Sequence, residues 1–157
     1  SGVVALRSRQ VMREYWRRPD ATADAYTDDG WFITGDIATM ATDGRITLQG
    51  RASDMIISGG ENIYPKEIEL VLDEIDGVIE SAVIGVPDAD FGEQVVAVLV
   101  CQAAPIGDAN IRSALDAALA RFKHPRRIEV IDALPRNAMG KVQKGVLRKR
   151  YTTANAG

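Results

Sequence analysis

The sequence predicts an α+β protein, with a β-rich stretch over residues 1–53 and a small three-stranded sheet with packed helices over 54–157. Three observations carry this expectation. Ile68, Val71, Leu72 and Ile75 fall at i, i+3, i+4 and i+7, which puts one apolar face on a helix. Ile79 to Val86 and Gln94 to Cys101 are rich in β-branched residues and read as two strands. Asp43-Gly44 lies between apolar segments and marks a hairpin, because a tight primed turn needs the positive φ that glycine adopts freely.

Taken in order, the first fifty residues read as strands and turns. Val3 to Leu6 is a short apolar run that opens abruptly, as if continuing an upstream segment. Pro19-Asp20-Ala21-Thr22 begins a helical turn that ends before Asp28-Asp29-Gly30. Trp31 to Met40 reads as a strand interrupted at Gly35. Arg45 to Gln49 is its return strand, with Ile46 and Leu48 alternating against polar neighbours. From Asp54 the texture becomes mixed. Met55-Ile56-Ile57 is a short apolar strand, and Ser58-Gly59-Gly60-Glu61-Asn62 is rich in turn formers. Pro65 opens the periodic helix, where its missing N–H leaves no bond unmade, and Gly77 closes it. Pro87-Asp88 starts the loop between the two long strands. Asp108 is expected to cap a second helix carrying Ile111, Leu115, Ala118, Leu119 and Phe122 on one face. Arg127 to Ile131 is the third strand, Pro135 to Lys141 a loop, and a basic helical tail follows.

Composition narrows the function classes. With 46% hydrophobic residues, 26% charged residues and a net charge of -3, the chain has globular rather than disordered usage. The longest apolar run, Val95 to Cys101, is seven residues, against the ~20 that a membrane-spanning helix needs. Cys101 is the single cysteine, which excludes an internal disulfide and fits a reducing compartment, the cytoplasm. Residues 1–10 lack the pattern of a signal peptide. His124 is the only histidine, so a multi-histidine metal site is ruled out; between Lys123 and Pro125 it is expected to be an exposed loop residue. Lys141, Lys144, Arg148, Lys149 and Arg150 make the tail basic. Without interleaved aromatics this predicts a solvated helix face rather than a nucleic-acid contact.

Three loops carry residues suited to chemistry. Asp36 in Thr34-Gly35-Asp36 offers a carboxylate that can accept two hydrogen bonds from a sugar diol, although a turn with a solvated Asp is the plainer reading of these three residues alone. Gly59-Gly60 can form a phosphate nest or simply a loop of awkward dihedrals. No Lys-Ser/Thr follows, so it is not a Walker loop. Lys141 after Gly140 can act as a mobile point charge for a phosphate or carboxylate, or stand as an ordinary surface lysine.

In combination and in this order, the loops resemble the adenylate-forming (AMP-binding) superfamily of acyl-CoA synthetases, luciferases and peptide-synthetase adenylation domains. The matching text begins with Glu14-Tyr15-Trp16 and Pro19, then Asp29-Gly30-Trp31-Phe32-Ile33-Thr34-Gly35-Asp36. It continues with Gly50-Arg51, Asp54-Met55-Ile56 and Ser58-Gly59-Gly60-Glu61-Asn62-Ile63-Tyr64-Pro65, leading to Glu67-Ile68-Glu69. Ser81-Ala82-Val83-Ile84-Gly85-Val86-Pro87-Asp88 and Phe91-Gly92-Glu93 add to it, and Pro135-Arg136-Asn137 with Gly140-Lys141 closes it. Within the superfamily the chain looks most like malonyl-, fatty- and aryl-CoA ligases. Glu14 departs from the glycine common at that position.

The resemblance implies a function and a distribution of roles. It implies the C-terminal part of an ATP-dependent carboxylate–CoA ligase, which forms an acyl-adenylate and then an acyl-CoA thioester. Residues 1–53 would be the β-rich end of a large domain and 54–157 the mobile C-terminal domain. The phosphate loop and acyl pocket would lie upstream, so the isolated chain is expected to be inactive. Asp36, with Thr34 of the same motif, and Arg51 match the ATP-binding residues. Ser53 matches the hinge, where Asp or Lys is commoner, and Asp54 beside it is a second candidate pivot. Ser58, Gly59, Gly60 and Glu61 match the loop that lines the path of the CoA arm. Lys141 matches the lysine that bridges carboxylate and α-phosphate during adenylation, and it also counts among the ATP ligands. ATP and CoA are therefore expected, with Mg2+ held outside this chain and a carboxylic acid as the third reactant. Two alternatives remain at this point. One is a peptide-synthetase-type adenylation domain, disfavoured because the chain ends at Ala156-Gly157 with no carrier domain. The other is a non-catalytic binding module using the basic tail.

Overall fold

A computed structural model describes residues 1–102 and 106–153, with the side chain of residue 153 outside the description. The polar end at Ala156-Gly157 lies outside the described residues. The chain falls into two compact units, Ser1–Ser53 and Asp54–Gly157.

The first unit is an antiparallel sheet of β1 (Gly2–Leu6), β2 (Phe32–Met40) and β3 (Ile46–Arg51), in that order, with a short helix α1 at Pro19–Asp24. The expected interruption at Gly35 is a bulge, not a break. Gly35 sits at φ 75° inside a continuous β2, and the β1–β2 register shifts opposite it, between Val3 and Ala5. The hairpin at Asp43-Gly44 is present, but with a three-residue loop instead of a two-residue primed turn. The Gly44 N–H donates to the Ala41 carbonyl (3.0 Å) and the Ala41 N–H to the Arg45 carbonyl (2.9 Å). Gly44 alone carries positive φ there, so the chain turns before Gly44 and uses it as a bulge. Ile46 and Leu48 alternate as expected, yet both are exposed.

The second unit is built on one five-stranded sheet. β4 (Ile56–Ser58), β5 (Glu61–Ile63), β6 (Val78–Asp88), β7 (Gly92–Cys101) and β8 (Arg127–Val130) are ordered β5-β4-β7-β6, with β8 parallel to β7 beyond β4. The α+β class holds; the short strand expected at Met55-Ile56-Ile57 is β4, which pairs with an unforeseen β5 and joins the three expected strands in one sheet. The run Val95 to Cys101 is continuously apolar because both faces of β7 are buried. Val95, Ala97 and Leu99 pack with Ile68 and Leu72 of α2 (Pro65–Asp73) and with Ile111 and Leu115 of α3 (Asp108–Ala118). Val96, Val98 and Val100 pack with Leu147 and Tyr151 of α4 (Lys144–Thr153). Burial of a side chain such as Leu147 contributes about 1.5–3 kcal/mol, which helps dock α4 on the second face.

Several local expectations need correction. Asp108 is the first helical residue and Gly107 the cap, without a side-chain cap bond; Phe122 leaves the α3 face for a 3-10 turn at Arg121–Lys123 and is half exposed. His124 is partly buried, because its Nε2–H reaches the Leu119 carbonyl at 3.1 Å beneath that turn. The basic tail is not simply a solvated face. Lys144 turns inward to Glu69, and Arg148 Nη2 lies 3.5 Å from Asp54 Oδ1. Gly77 lies beyond α2, in the turn to β6, at φ 93°.

The free edge of β6 is closed by side chains. Glu69 of α2 is buried, and its Oε1 accepts the Val83 N–H (2.9 Å) and the Lys144 ammonium (2.6 Å). One carboxylate thus satisfies an edge-strand donor and joins the helices of opposite faces.

Candidate functional site

In the first unit, β2 and β3 bring Thr34, Asp36 and Arg51 together. Asp36 and Arg51 are cross-strand partners, and Arg51 Nε lies 3.0 Å from Asp36 Oδ1. The Arg51 Nη1–H group donates to the Thr34 carbonyl at 3.0 Å. The Thr34 hydroxyl donates to the Val4 carbonyl (3.0 Å) and accepts the Asp36 N–H (3.0 Å), which fixes the bulge. A Cβ on Gly35 would stand 3.5 Å from the Arg51 guanidinium. The result is a partly exposed carboxylate beside an exposed guanidinium, a donor set that fits a nucleotide: acceptors for sugar hydroxyls, and a cation for its charge.

In the second unit, Ser58, Gly59, Gly60 and Glu61 form the β4–β5 hairpin. Ser58 pairs with Glu61, and Gly59 (φ 59°) and Gly60 (φ 85°) make the two-residue turn. Both positive φ values match a type I′ turn, which explains two adjacent glycines. The Gly59 N–H donates to the Phe91 carbonyl at 2.9 Å, so the turn is tied to the β6–β7 loop. Beside it lies a cleft of about 390 Å³, lined by Ser58, Gly59, Glu61, Phe91 and a set of basic residues. Arg126 stacks on Phe91 at 3.6 Å from the ring centroid; Arg112 and Arg121 line the same cleft. The 121–126 segment is held by Lys123, whose ammonium reaches both oxygens of Glu67 at 2.7 and 2.8 Å. Arg112, Arg121 and Arg126 escaped the sequence reading, since three arginines on a helix, a 3-10 turn and a strand entry share no spacing.

Lys141 stands on the loop between β8 and α4, exposed. Among the described residues no hydrogen bond or ion pair engages its ammonium group. Its backbone, by contrast, is fully held: the Lys141 N–H donates to Asn137 Oδ1 (2.9 Å), and the Asn137 N–H donates to the Lys141 carbonyl (3.0 Å). Ser53 and Asp54 lie at the boundary of the two units, in a 3-10 turn at Ala52–Asp54. No group of three or more His, Cys, Asp or Glu among the described residues is placed to hold a metal ion. Nor, among them, is any helix long and apolar enough to cross a membrane.

Comparison with known proteins decides the family. Residues 67–141 match the family described as "AMP-binding enzyme C-terminal domain". That stretch, within the second unit, belongs to this family. The chain is 44% identical over 151 residues to the long-chain-fatty-acid–CoA ligase FadD13 of Mycobacterium tuberculosis, covering 96% of this chain and 30% of that protein. Among solved structures, ATP-bound MatB from Rhodopseudomonas palustris is 47% identical with a TM-score of 0.87, covering 98% of this chain and 31% of that one. The o-succinylbenzoate CoA synthetase MenE from Bacillus subtilis, in complex with the acyl-adenylate intermediate OSB-AMP, is 35% identical with a TM-score of 0.89, over 94% of this chain and 30% of that one. The chain thus spans about 30% of the length of the curated relatives it matches. Lys141 is the last residue of the matched stretch; the glycine hairpin precedes that stretch within the second unit, and the Asp36–Arg51 cluster lies in the first unit.

Proposed function

We propose that this chain supplies a nucleotide contact, the adenylating lysine and part of the CoA path of an ATP-dependent carboxylate–CoA ligase. In the first half-reaction a carboxylate oxygen attacks the α-phosphorus of ATP, and pyrophosphate leaves. Two anions must approach, so a cation between them stabilises the transition state where charge concentrates. Lys141 has the compact charge and long stem for this. Asp36 accepts hydrogen bonds from the ribose hydroxyls, while Thr34 fixes the Asp36 backbone, Arg51 holds its carboxylate, and Arg51 faces the nucleotide. In the second half-reaction the CoA sulfur attacks the acyl carbon and AMP leaves. Ser58, Gly59, Gly60 and Glu61 line the path of the CoA arm, and Arg112, Arg121 and Arg126 offer cations for its phosphates. Ser53 and Asp54 form the pivot on which the C-terminal domain exchanges Lys141 for the glycine hairpin, a reading supported by the unit boundary between them. Mg2+ accompanies ATP and finds its ligands outside the described residues, and the protein works in the cytoplasm.

The observation that carries this reading is the Lys141 loop, whose backbone is tied down while its ammonium group is left unengaged among the described residues. The test is Lys141→Ala in the intact ligase. Carboxylate-dependent pyrophosphate exchange should fall on the order of a hundredfold or more. Thioester formation from supplied acyl-adenylate should survive. Equal loss of both half-reactions would make Lys141 structural.

A further inference from the structure

The Lys141 backbone is held by one side chain. Asn137 Oδ1 accepts the N–H groups of Met139 (3.0 Å) and Lys141 (2.9 Å), and the Gly140 N–H closes the loop on the Asn137 carbonyl (2.9 Å). With the Asn137 N–H on the Lys141 carbonyl, this makes a three-residue loop with Gly140 at φ 78°. The loop is in turn fastened to the sheet. Arg136 Nη1–H donates to the Gly140 carbonyl at 2.6 Å, Arg136 Nη2 pairs with Glu80 Oε2 of β6, and Arg136 bridges Val142. Gln143 N–H on the Pro135 carbonyl (2.7 Å) then leads directly into α4.

A long lysine stem is an imprecise positioning device, since each of its torsions adds freedom. Locating its ammonium group depends on fixing the Cα from which it starts. The Asn137 contacts and the Arg136 bond to Gly140 act on the backbone of residues 139–141, the Glu80 pair anchors Arg136, and none of these contacts engages the Lys141 head group. We propose that Asn137 and Arg136, the latter anchored on Glu80, are positioning residues that aim Lys141 for adenylation alone. This rests on the reading of Lys141 as the adenylating cation. The two residues act through different links. Asn137 fixes the local turn, and Arg136 fixes the turn to β6.

The experiment compares Asn137→Ala, Asn137→Asp, Arg136→Ala and Lys141→Ala in the intact ligase, measuring both half-reactions, with amide hydrogen exchange at Met139 and Lys141. A carboxylate at position 137 keeps the acceptor for both N–H groups, so Asn137→Asp should preserve adenylation. Asn137→Ala should lower adenylation roughly ten- to a hundredfold, as expected for a misplaced catalytic group. It should also speed exchange at residues 139 and 141, while thioester formation from supplied acyl-adenylate stays within about threefold. Arg136→Ala should lower adenylation with the same selectivity. If Lys141→Ala collapses adenylation but Asn137→Ala and Arg136→Ala leave it intact, the positioning role is refuted and the role of Lys141 stands. Equal loss of both half-reactions in Asn137→Ala would reduce Asn137 to a structural residue. If Lys141→Ala itself leaves adenylation unchanged, the underlying reading of Lys141 fails, and the proposal fails with it.

Discussion

Replacing Gly59 and Gly60 one at a time with alanine separates two physical effects in a single turn. Both residues occupy the left-handed region, at φ 59° and 85°, where a Cβ costs about 1–2 kcal/mol through its clash with the following carbonyl. At Gly60 nothing else lies within 4 Å of the added Cβ, so strain is the whole effect. At Gly59 the Cβ would stand 3.3 Å from Phe91 Cδ1. The Phe91 ring cannot yield freely, because Arg126 stacks on it at 3.6 Å from the centroid. Crowding there adds about 1 kcal/mol, the low end for overpacking. Gly60→Ala should therefore destabilise the second unit by about 1–2 kcal/mol and Gly59→Ala by about 2–3 kcal/mol, or roughly 4–8 °C in Tm per kcal/mol. Asparagine tolerates the left-handed region, so Gly60→Asn should recover much of the Gly60→Ala loss. The assay is urea unfolding of the three variants beside the parent, with midpoints compared at constant m. Equal losses at Gly59 and Gly60, or a Gly60→Asn variant as unstable as Gly60→Ala, would refute the reasoning.

Three further perturbations test other parts of the molecule. Glu69→Ala leaves the Val83 N–H and the Lys144 ammonium without their shared partner. It should lower stability by about 3 kcal/mol, and Glu69→Gln, which keeps an acceptor, should lower it less; urea unfolding reads both. Arg126→Glu puts a negative charge in the basic cleft beside the glycine hairpin and should raise the KM for CoA in thioester formation at least tenfold while leaving adenylation unchanged. Unaltered CoA kinetics would remove the cleft from the CoA path. Burial pushes the Cys101 thiol up from its ordinary pKa, so thiolate is scarcer at neutral pH and alkylation by iodoacetamide should be slower than for an exposed cysteine. The rate should climb as pH rises above the ordinary thiol range.

Local chemistry determined much of the second unit. The spacing of Ile68, Val71 and Leu72 dictates a helix, because a 3.6-residue period places them on one side, and Ile68 and Leu72 are fully buried; Ile75 lies just past the end of α2 and still packs on the same core. The long apolar runs around Val83 and Val96 dictate strands β6 and β7. Other features depend on which segments meet. That β7 is buried on both faces was not decided by its own residues, but by α2 and α3 covering one side and α4 the other. Gly59-Gly60 becomes a hairpin turn because Ile56 and Ile63 pair and are buried together in the core, a pairing that two glycines alone leave open. His124 is drawn inward by the Leu119 carbonyl, and Lys144 by a carboxylate 75 positions earlier. The same holds for the arginine-lined cleft, whose members come from separate elements. A sequence encodes period and turn chemistry within a few residues. Hydrogen-bond partners and charge neighbours far apart in the chain are set only when the sheet and its helices close around one another.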